Sequence, residues 1–218
     1  MSTRLVVALL FIGLALASCG RDADARPDSA GVPEPRLVRM SDAGIVGTLA
    51  AINEAEIAAA RLASSRAASA DVRAFAQQLV RDHEAMQRSS SDLARKDHIE
   101  SEQTSDAMAI RARGQSLLDT LATLSGPAFD LTYIDAQVND HQMALHALHG
   151  WQRSADDDGL RAQLRAARPV VQAHYDAAMA LLPPLIPAGE PSVWKKHLGM
   201  PMAAEGKPAS QKPASPTP

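Results

Sequence analysis

The sequence has a single cysteine, few aromatic residues and little net charge, and each scarcity excludes a class of protein. Cys19 is the only cysteine among the 218 residues, so no disulfide can form within the chain. Aromatic residues are 3% of the total, and the formal net charge at pH 7 is −3. Nucleic-acid binding needs a basic surface and often aromatic rings on which bases stack, so we expect no nucleic-acid partner.

Two enzyme signatures are also missing. The chain has no glycine-rich loop of the kind that holds nucleotide phosphates. It has no Gly-x-Ser-x-Gly element, which carries the nucleophile of many hydrolases. The sequence therefore gives no positive indication of a catalytic residue, and we predict none.

The N-terminal residues have the pattern of an export signal. Residues 1–18 begin with a charge at Arg4 and continue through an apolar run from Leu5 to Ala17. This pattern is typical of a secretory signal peptide, and the run is shorter than the roughly 20 residues of a spanning helix. It ends in Leu16-Ala17-Ser18-Cys19, which resembles the lipobox of bacterial lipoproteins, where the cysteine thiol receives a diacylglycerol. We therefore predict that Cys19 is lipidated.

The predicted lipid sets the expected location of the protein. Residues 19–40 contain several Arg, Pro and Asp residues without periodicity, which is typical of a flexible tether. Gly20, and not an aspartate, follows Cys19, and by resemblance to lipoprotein sorting this favours the outer membrane. We expect a cell-envelope protein that faces the periplasm and contacts the membrane through its N-terminal lipid. The sequence names no protein partner.

Helical periodicity dominates residues 41–182, with almost no alternating strand pattern. Pro169 is expected to kink the last helix, because proline lacks the N–H that bonds to the preceding turn. Pro183 and Pro184 stop that helix, and composition predicts that residues 183–218 form a disordered tail rich in Pro and Ala. We predict five helices, at residues 42–67, 71–97, 104–124, 127–153 and 159–182. The third of these is expected to be interrupted at Gly114.

Each of the four longest predicted helices carries one titratable residue in the middle of its apolar stripe. Alternating spacings of three and four place Glu56, His83, His141 and His174 inward. A buried polar group without a partner costs roughly 1 to 3 kcal/mol, and an unpaired charge costs more. Because a domain is stable by only about 5 to 15 kcal/mol, these side chains should satisfy one another, a water molecule or a metal ion.

Two arrangements of these four residues are consistent with the pattern. Three imidazoles and one carboxylate could hold a single Zn, Cu, Mn or Fe ion. Alternatively, Glu56 accepts hydrogen bonds from the histidines, and this polar network fixes the register of the helices. Inward histidines are more often hydrogen-bonded than bound to a metal, so the sequence favours the network.

Several short motifs resemble those of a known protein family. They are Ala55-Glu56-Ile57, Asp82-His83, Ser125 to Asp130 with Tyr133, Asp140-His141, and Pro169 with His174. Together they are similar to the domain of unknown function 4142 family, exported bacterial proteins often described as predicted outer membrane proteins. The resemblance covers about residues 41–182. It implies an exported protein with a ferritin-like helical fold, but no established reaction.

We therefore predict an all-α protein: a ferritin-like antiparallel four-helix bundle with one additional helix, flanked by disordered ends. The sequence departs from ferritin-like di-iron proteins, which carry Glu-x-x-His on two helices. The residues three positions before the inward histidines are Val80, Val138 and Val171. Because the bridging carboxylates are absent, we expect neither di-iron oxidase nor ferroxidase activity.

Other polar residues are expected to have lesser roles. Asp82 and Asp140 lie about 100° around their helices from the neighbouring histidines, so we expect them to face solvent or an adjacent helix. The lesser alternative is that they orient the histidines of the site by hydrogen bonds. Asp130 and Tyr133 share a helix face and are predicted to make a capping or interhelical hydrogen bond. Copper capture is a further alternative at two groups, namely Met143 with His146 and His149, and His197 with Met200 and Met202.

The sequence favours a non-catalytic binding or envelope-associated role for a lipid-anchored helical bundle. This role requires no cofactor. The alternative is a mononuclear metal-binding protein, either a metal carrier or a redox enzyme. It would hold one transition-metal ion with Glu56, His83, His141 and His174.

Overall fold

The computed structural model describes residues 39–187, and this part of the chain is helical without any strand. The predicted signal peptide, Cys19 and the chain beyond residue 187 lie outside the described residues. Every predicted helix boundary agrees with the structure to within one residue, and the all-α class is confirmed. The five helices are α1 Asp42–Arg66, α2 Ala70–Lys96, α3 Ser105–Thr123, α4 Gly126–Ser154 and α5 Asp158–Leu181.

Side-chain caps explain where four of the helices begin. The backbone N–H groups of a helix's first turn have no partner within the helix. In these four helices, a side-chain oxygen of the preceding residue accepts a hydrogen bond from one of them. These capping residues are Ser41, Ser69, Thr104 and Asp157. The start of α4 has no such side-chain bond. There Gly126 takes a positive φ of 60°, and Pro127 supplies a φ suited to the first turn.

Helices α1, α2, α4 and α5 form an antiparallel four-helix bundle, and α3 is the additional helix. The main packed pairs are α1 with α2, α4 with α5, and α2 with α5. Helix α3 packs chiefly on α1 and runs parallel to it. Thr48 contacts Thr104 near the start of both helices, and Arg66 donates to the Leu124 carbonyl near their ends. This is the ferritin-like arrangement predicted from the sequence.

Two carboxylates tie the α1–α2 hairpin to the α4–α5 hairpin. Asp42, at the start of α1, accepts hydrogen bonds from the backbone N–H groups of Asp156 and Asp157 at 2.9 and 2.8 Å. Asp130 of α4 accepts from the backbone N–H groups of residues 68 and 69 at 2.8 and 2.7 Å. The interhelical role predicted for Asp130 is thus confirmed. The one predicted for Tyr133 is wrong, because its ring is buried among apolar side chains and its hydroxyl has no hydrogen-bond partner in residues 39–187.

Gly114 does not interrupt α3, contrary to the sequence-based prediction. The helix is continuous from Ser105 to Thr123. A Cβ atom at position 114 would lie 2.8 Å from the Cβ of Ala55 in α1, closer than two carbon atoms can approach. The glycine therefore allows close packing of α3 on α1 instead of breaking the helix. Pro169 lies inside α5, and a kink at that point stays a prediction.

The apolar core is divided into two clusters. In each of the four bundle helices, the inward titratable residue lies between the segments that contribute to the two clusters. Leu185 and Ile186 pack against the first cluster, so the packed chain continues past residue 182 through a 3₁₀ helix at Pro183–Leu185. The first cluster includes Leu79, Leu121, Phe129 and Ile134, and the second includes Ile45, Leu148, Leu160 and Leu164.

Helix α1 is the only described helix that is long and apolar enough to cross a membrane by length and composition. Core helices of bundles share that property. Of its most apolar 18-residue window, 61% is buried inside the bundle. The apolar character of α1 is therefore explained by its contacts with α2 and α3.

Gly114 and Gly150 provide a matched pair for testing the packing of α3. A Cβ at Gly150 would meet no atom within 4 Å, so Gly150→Ala should raise the free energy of unfolding by about 0.5 to 1 kcal/mol through helix propensity. Gly114→Ala has the same propensity gain but forces α3 away from Ala55, and we expect a net loss of about 1 kcal/mol or more. Urea unfolding measures both. Equal stabilisation by the two changes would show that α3 does not lie close to α1.

Candidate metal centre

The four inward residues predicted from the sequence are all buried. The exposed fraction is 7% for Glu56, 3% for His83, 2% for His141 and 4% for His174. They come from α1, α2, α4 and α5, one from each helix of the bundle. The prediction that each points inward is confirmed.

The three histidines form a cluster, which we call the histidine cluster (His83, His141 and His174). One ring nitrogen of each lies within 4.8 Å of one ring nitrogen of the other two. The ring centroids are 5.2, 5.4 and 5.7 Å apart. Within residues 39–187, this is the only group of three or more His, Cys, Asp or Glu side chains gathered closely enough to hold a metal ion.

A hydrogen bond on the outer nitrogen of each ring fixes the position of its proton. His83 Nδ1 donates to Asn53 Oδ1 at 3.0 Å, and His141 Nδ1 donates to the Gln137 carbonyl oxygen at 2.9 Å. His174 Nε2 donates to Asp82 Oδ2 at 2.8 Å. Amide, backbone carbonyl and ionised carboxylate oxygens accept hydrogen bonds and cannot donate them. Each outer nitrogen is therefore the donor and carries the proton. In a neutral imidazole the inner nitrogen then has a lone pair.

The inner nitrogens face one another with lone pairs. His141 Nε2 and His174 Nδ1 are 3.3 Å apart, and His83 Nε2 has no hydrogen-bond partner in the described chain. Two neutral rings in these tautomers cannot bond to each other, so this contact needs a proton or another cation between them. Burial lowers the pKa of all three histidines, which disfavours the proton.

Asp82 takes the lesser alternative of the sequence analysis, which is to hydrogen-bond a histidine of the site. We expected it to face solvent or an adjacent helix, and it does reach α5, but there it bonds directly to His174 of the histidine cluster. Burial raises its pKa, yet hydrogen bonds from His174 and Gln78 outweigh this and hold the pKa below its usual value. Asp82 is therefore an ionised acceptor that holds the ring of His174 in one orientation.

Glu56 lies outside the histidine cluster, although both were predicted to share one site. Three of the six ring nitrogens donate to other groups, two are in contact with each other and the sixth is unpartnered, so no histidine of the cluster donates to Glu56. Burial raises the pKa of the Glu56 carboxyl to about 7, and Gln137 and Arg113 partly oppose that rise. Ligation of a metal by Glu56 stays a prediction.

A cavity of about 530 Å³ joins Glu56 to the histidine cluster. Glu56, His83 and His141 all contribute to its lining. Asp140 lines it too and forms an ion pair with Arg113 at 3.4 Å. Burial raises the pKa of Asp140 to about 6, and the charge of Glu56 adds to this rise. A group bound at the inner nitrogens of His83 and His141 could therefore be reached from this cavity.

The other metal-binding candidates from the sequence are not gathered into a site. His146 and His149 are exposed, and their bonds are to the Gln142 carbonyl and to Arg153. Met143 is 45% exposed. The group at His197, Met200 and Met202 lies outside the described residues.

Two polar residues of the site were missed by the sequence analysis. Asn53 lies one turn before Glu56 in α1, and Gln137 lies one turn before His141 in α4. Both are buried, with exposed fractions of 4% and 0%. A second polar residue one turn from an inward titratable residue was the signal that could have identified them, because positions three or four apart share a helix face.

The fold and site together define an all-helical bundle with a buried histidine cluster between two apolar cores. The chain matches the family described as "Domain of unknown function (DUF4142)" over residues 27–181, which is more than half of its length. It belongs to this family, and the resemblance inferred from the short motifs is confirmed. Comparisons with curated proteins and with solved structures found no match.

The raised pKa of Glu56 makes stability depend on pH. In the unfolded chain the Glu56 carboxyl releases its proton above its pKa of 4.5, whereas in the folded chain it keeps the proton up to about pH 7. The contribution of this proton to the free energy of unfolding is therefore complete below pH 4.5 and is lost as pH rises through about 7. Glu56→Gln has no such titration. Relative to wild type, the free energy of unfolding of the variant should rise by about 3 kcal/mol between pH 4.5 and 8.5.

Urea unfolding in the presence of a chelator measures this difference without interference from metal. Glu100→Gln, an exposed site, serves as the control and should follow the wild-type profile. Parallel pH profiles for Glu56→Gln and wild type would show that Glu56 is not buried in the folded state.

Proposed function

We propose that this protein binds one divalent transition-metal ion through His83, His141 and His174, and that Zn²⁺ is the ion that fits best. The observation that carries the proposal is the convergence of three imidazole lone pairs, each fixed by a hydrogen bond on the opposite side of its ring. Metal-binding histidines ordinarily donate their other N–H to a carboxylate, a carbonyl or water. Asp82 and the Gln137 carbonyl are acceptors of this kind.

The spacing of the inner nitrogens supports this proposal. In a tetrahedral zinc site with Zn–N bonds of about 2.0 to 2.1 Å, neighbouring ligand nitrogens lie about 3.3 Å apart. His141 Nε2 and His174 Nδ1 are separated by 3.3 Å, and the ligand nitrogen of His83 lies within 4.8 Å of both, so zinc binding would draw His83 closer. Imidazole nitrogen is also a good ligand for Cu, Fe and Ni, so the donor set alone permits these ions.

The hydrogen-bonded network that the sequence favoured accounts less well for the same contacts. That alternative had Glu56 as the acceptor for the histidines, but no histidine of the cluster donates to it. His83 Nε2 and Glu56 Oε2 are both buried without partners. A network that leaves such atoms unpaired is destabilising by about 1 to 3 kcal/mol for each of them.

Three protein ligands leave part of the coordination sphere open. Catalytic and transport sites share this feature, since the open position can take water or a bound molecule. His83 and His141 line the cavity, so the open position would face it. A bound ion would supply a Lewis acid at this end of the cavity. Both roles of the metal hypothesis, carrier and enzyme, are compatible with this arrangement.

The cellular location is part of the proposal. The apolar run and Leu16-Ala17-Ser18-Cys19 support export and attachment of the chain to a membrane by lipid on Cys19. The tether that follows would hold the bundle on the periplasmic side, with the outer membrane favoured by Gly20. Membership of a family that we associate with exported proteins is consistent with this location.

The ligand and orienting roles can be tested by zinc titration calorimetry on protein purified without a His tag. Wild type should bind one Zn²⁺ per chain, and His174→Ala should weaken binding most. Asp82→Asn should weaken binding about 10- to 100-fold, because it removes the charge that orients His174. Binding should also fall on acidification, because the ligand imidazoles must be neutral.

His146→Ala is the matched control for His174→Ala, since it removes an exposed histidine from α4. It should leave zinc affinity and stoichiometry unchanged. Absence of stoichiometric zinc, copper, iron and manganese binding by wild type, or equal effects of the two histidine changes, would contradict a metal site at the histidine cluster.

The lipid anchor is tested by Cys19→Ala. Wild type should incorporate radiolabelled fatty acid and sediment with membranes, because Cys19 is the only residue of the chain that could take a thioether-linked lipid. The variant should incorporate no label and should remain unprocessed or appear in the soluble fraction. A processed, membrane-bound Cys19→Ala protein would rule out the lipoprotein assignment.

A further inference from the structure

The cavity beside the histidine cluster has the size and lining of a small-molecule site. Its volume of about 530 Å³ lies within the roughly 300 to 1,000 Å³ typical of ligand pockets. Protein interiors ordinarily leave few voids larger than a water molecule, so packing alone does not explain it. All five helices contribute, mostly with apolar side chains that include Leu49, Ile52, Met86, Ile110, Leu148 and Val171.

The cavity is accessible from outside the bundle. Ala109 of α3 and Met143 of α4 belong to its lining and are exposed on the surface. Helix α3 packs chiefly on α1 and makes few contacts with α4. A small molecule could therefore enter between α3 and α4.

Two buried side chains form a polar end within this apolar cavity. Glu56 is 7% exposed and Gln137 is fully buried, and both line the cavity. By distance and angle, Glu56 Oε2 and both polar atoms of the Gln137 amide make no hydrogen bond in the described chain, although the Gln137 amide lies close enough to Glu56 to lower the pKa of that carboxyl. A small rotation could bring the Gln137 amide N–H to Glu56, but the amide oxygen of Gln137 would still need a donor. This end of the cavity therefore presents both an unused donor and unused acceptors.

The charges around this end disfavour an ionic ligand. Asp140 is paired with Arg113, so these two side chains together contribute no net charge. An anionic head group would therefore find no unpaired lysine or arginine among the lining residues. A cationic head group would have to give up its hydration in a mostly apolar cavity, where the Asp140 carboxylate is already paired with Arg113.

We propose that the cavity binds a small molecule with an apolar body and one uncharged head group that both donates and accepts hydrogen bonds, such as a hydroxyl. The head group donates to Glu56 or to the Gln137 amide oxygen and accepts from the Gln137 amide nitrogen. The apolar body lies along the aliphatic lining between the two core clusters. The inference concerns the cavity itself and does not require the metal of the proposed function.

A series of probes with one body and different heads tests this inference. Para-propylphenol is titrated into the full chain with a chelator present, and propylbenzene, para-propylbenzoate and para-propylbenzylamine are its matched comparisons. Calorimetry gives the affinity, and the fluorescence of Trp151, which lines the cavity, reports occupancy. We expect one phenol per chain, bound about tenfold more tightly than propylbenzene, and still weaker binding of the two charged probes.

Two variants locate the binding. Gln137→Leu keeps the approximate volume but removes the polar amide, so the preference for the phenol over propylbenzene should fall, with only Glu56 left as an acceptor. Gln142→Leu, the same change at an exposed position of α4, should keep that preference. Ala144→Phe fills part of the cavity and should weaken the binding of every probe. If Ala144→Phe fails to fold, as judged by circular dichroism, Gln137→Leu alone decides.

Equal binding of all four probes, binding of none, or an unchanged preference in Gln137→Leu would overturn the inference. In these cases the cavity holds only water or the probes bind elsewhere. His174→Ala separates this result from the proposed metal function, because His174 is outside the cavity lining. That variant should lose zinc and retain the phenol. If wild type binds no zinc but still prefers the phenol, the proposed metal site is contradicted and the inference about the cavity stands.

Discussion

The outward hydrogen bonds of the three buried imidazoles are the constraint on which the arrangement of the bundle core depends. Each bond holds the proton on the side of the ring that faces away from the cluster. The acceptors lie on α1, α2 and α4, and the rings lie on α2, α4 and α5. The bonds of His83 and His174 link α2 to α1 and to α5, so a rotation of any of these three helices would break one of them. The bond of His141 lies within α4, and α4 meets the cluster through the contact of His141 with His174.

The two apolar clusters make this polar layer tolerable. Burying four titratable side chains costs free energy, and the raised pKa of Glu56 and the lowered pKa values of the histidines are direct expressions of that cost. The closely packed apolar residues on each side, together with the interhairpin bonds of Asp42 and Asp130, supply compensating stability. Leucine at these positions would avoid that cost, so the polar layer reduces the stability that apolar packing alone would give.

The periodicity of the sequence was sufficient to predict the fold and the inward residues. Helix boundaries follow from local capping and from apolar spacing of three and four, which also places Glu56, His83, His141 and His174 on buried stripes. Gly114 was misinterpreted, because the effect of a glycine depends on the helix that packs against it. Here the residue opposite is Ala55.

The contacts within the site were beyond the reach of periodicity. Asp82 was expected to face solvent or an adjacent helix, and only the packing of α2 on α5 shows that its contact in α5 is His174. Spacing likewise placed Glu56 at the level of the histidines, but whether it contacts them depends on helix rotation and interhelical distance. The cavity has the same origin, since it results from the way α3 lies on α1 beside the bundle.

The central claim is that the three inner nitrogens bind a metal ion together. X-ray absorption spectroscopy of the protein loaded with one equivalent of Zn²⁺ tests it most directly, because imidazole ligands have a recognisable scattering pattern. The account predicts three imidazole nitrogens at about 2.0 to 2.1 Å from the zinc. A spectrum with fewer than three imidazoles, or one that is unchanged in His174→Ala, would contradict it.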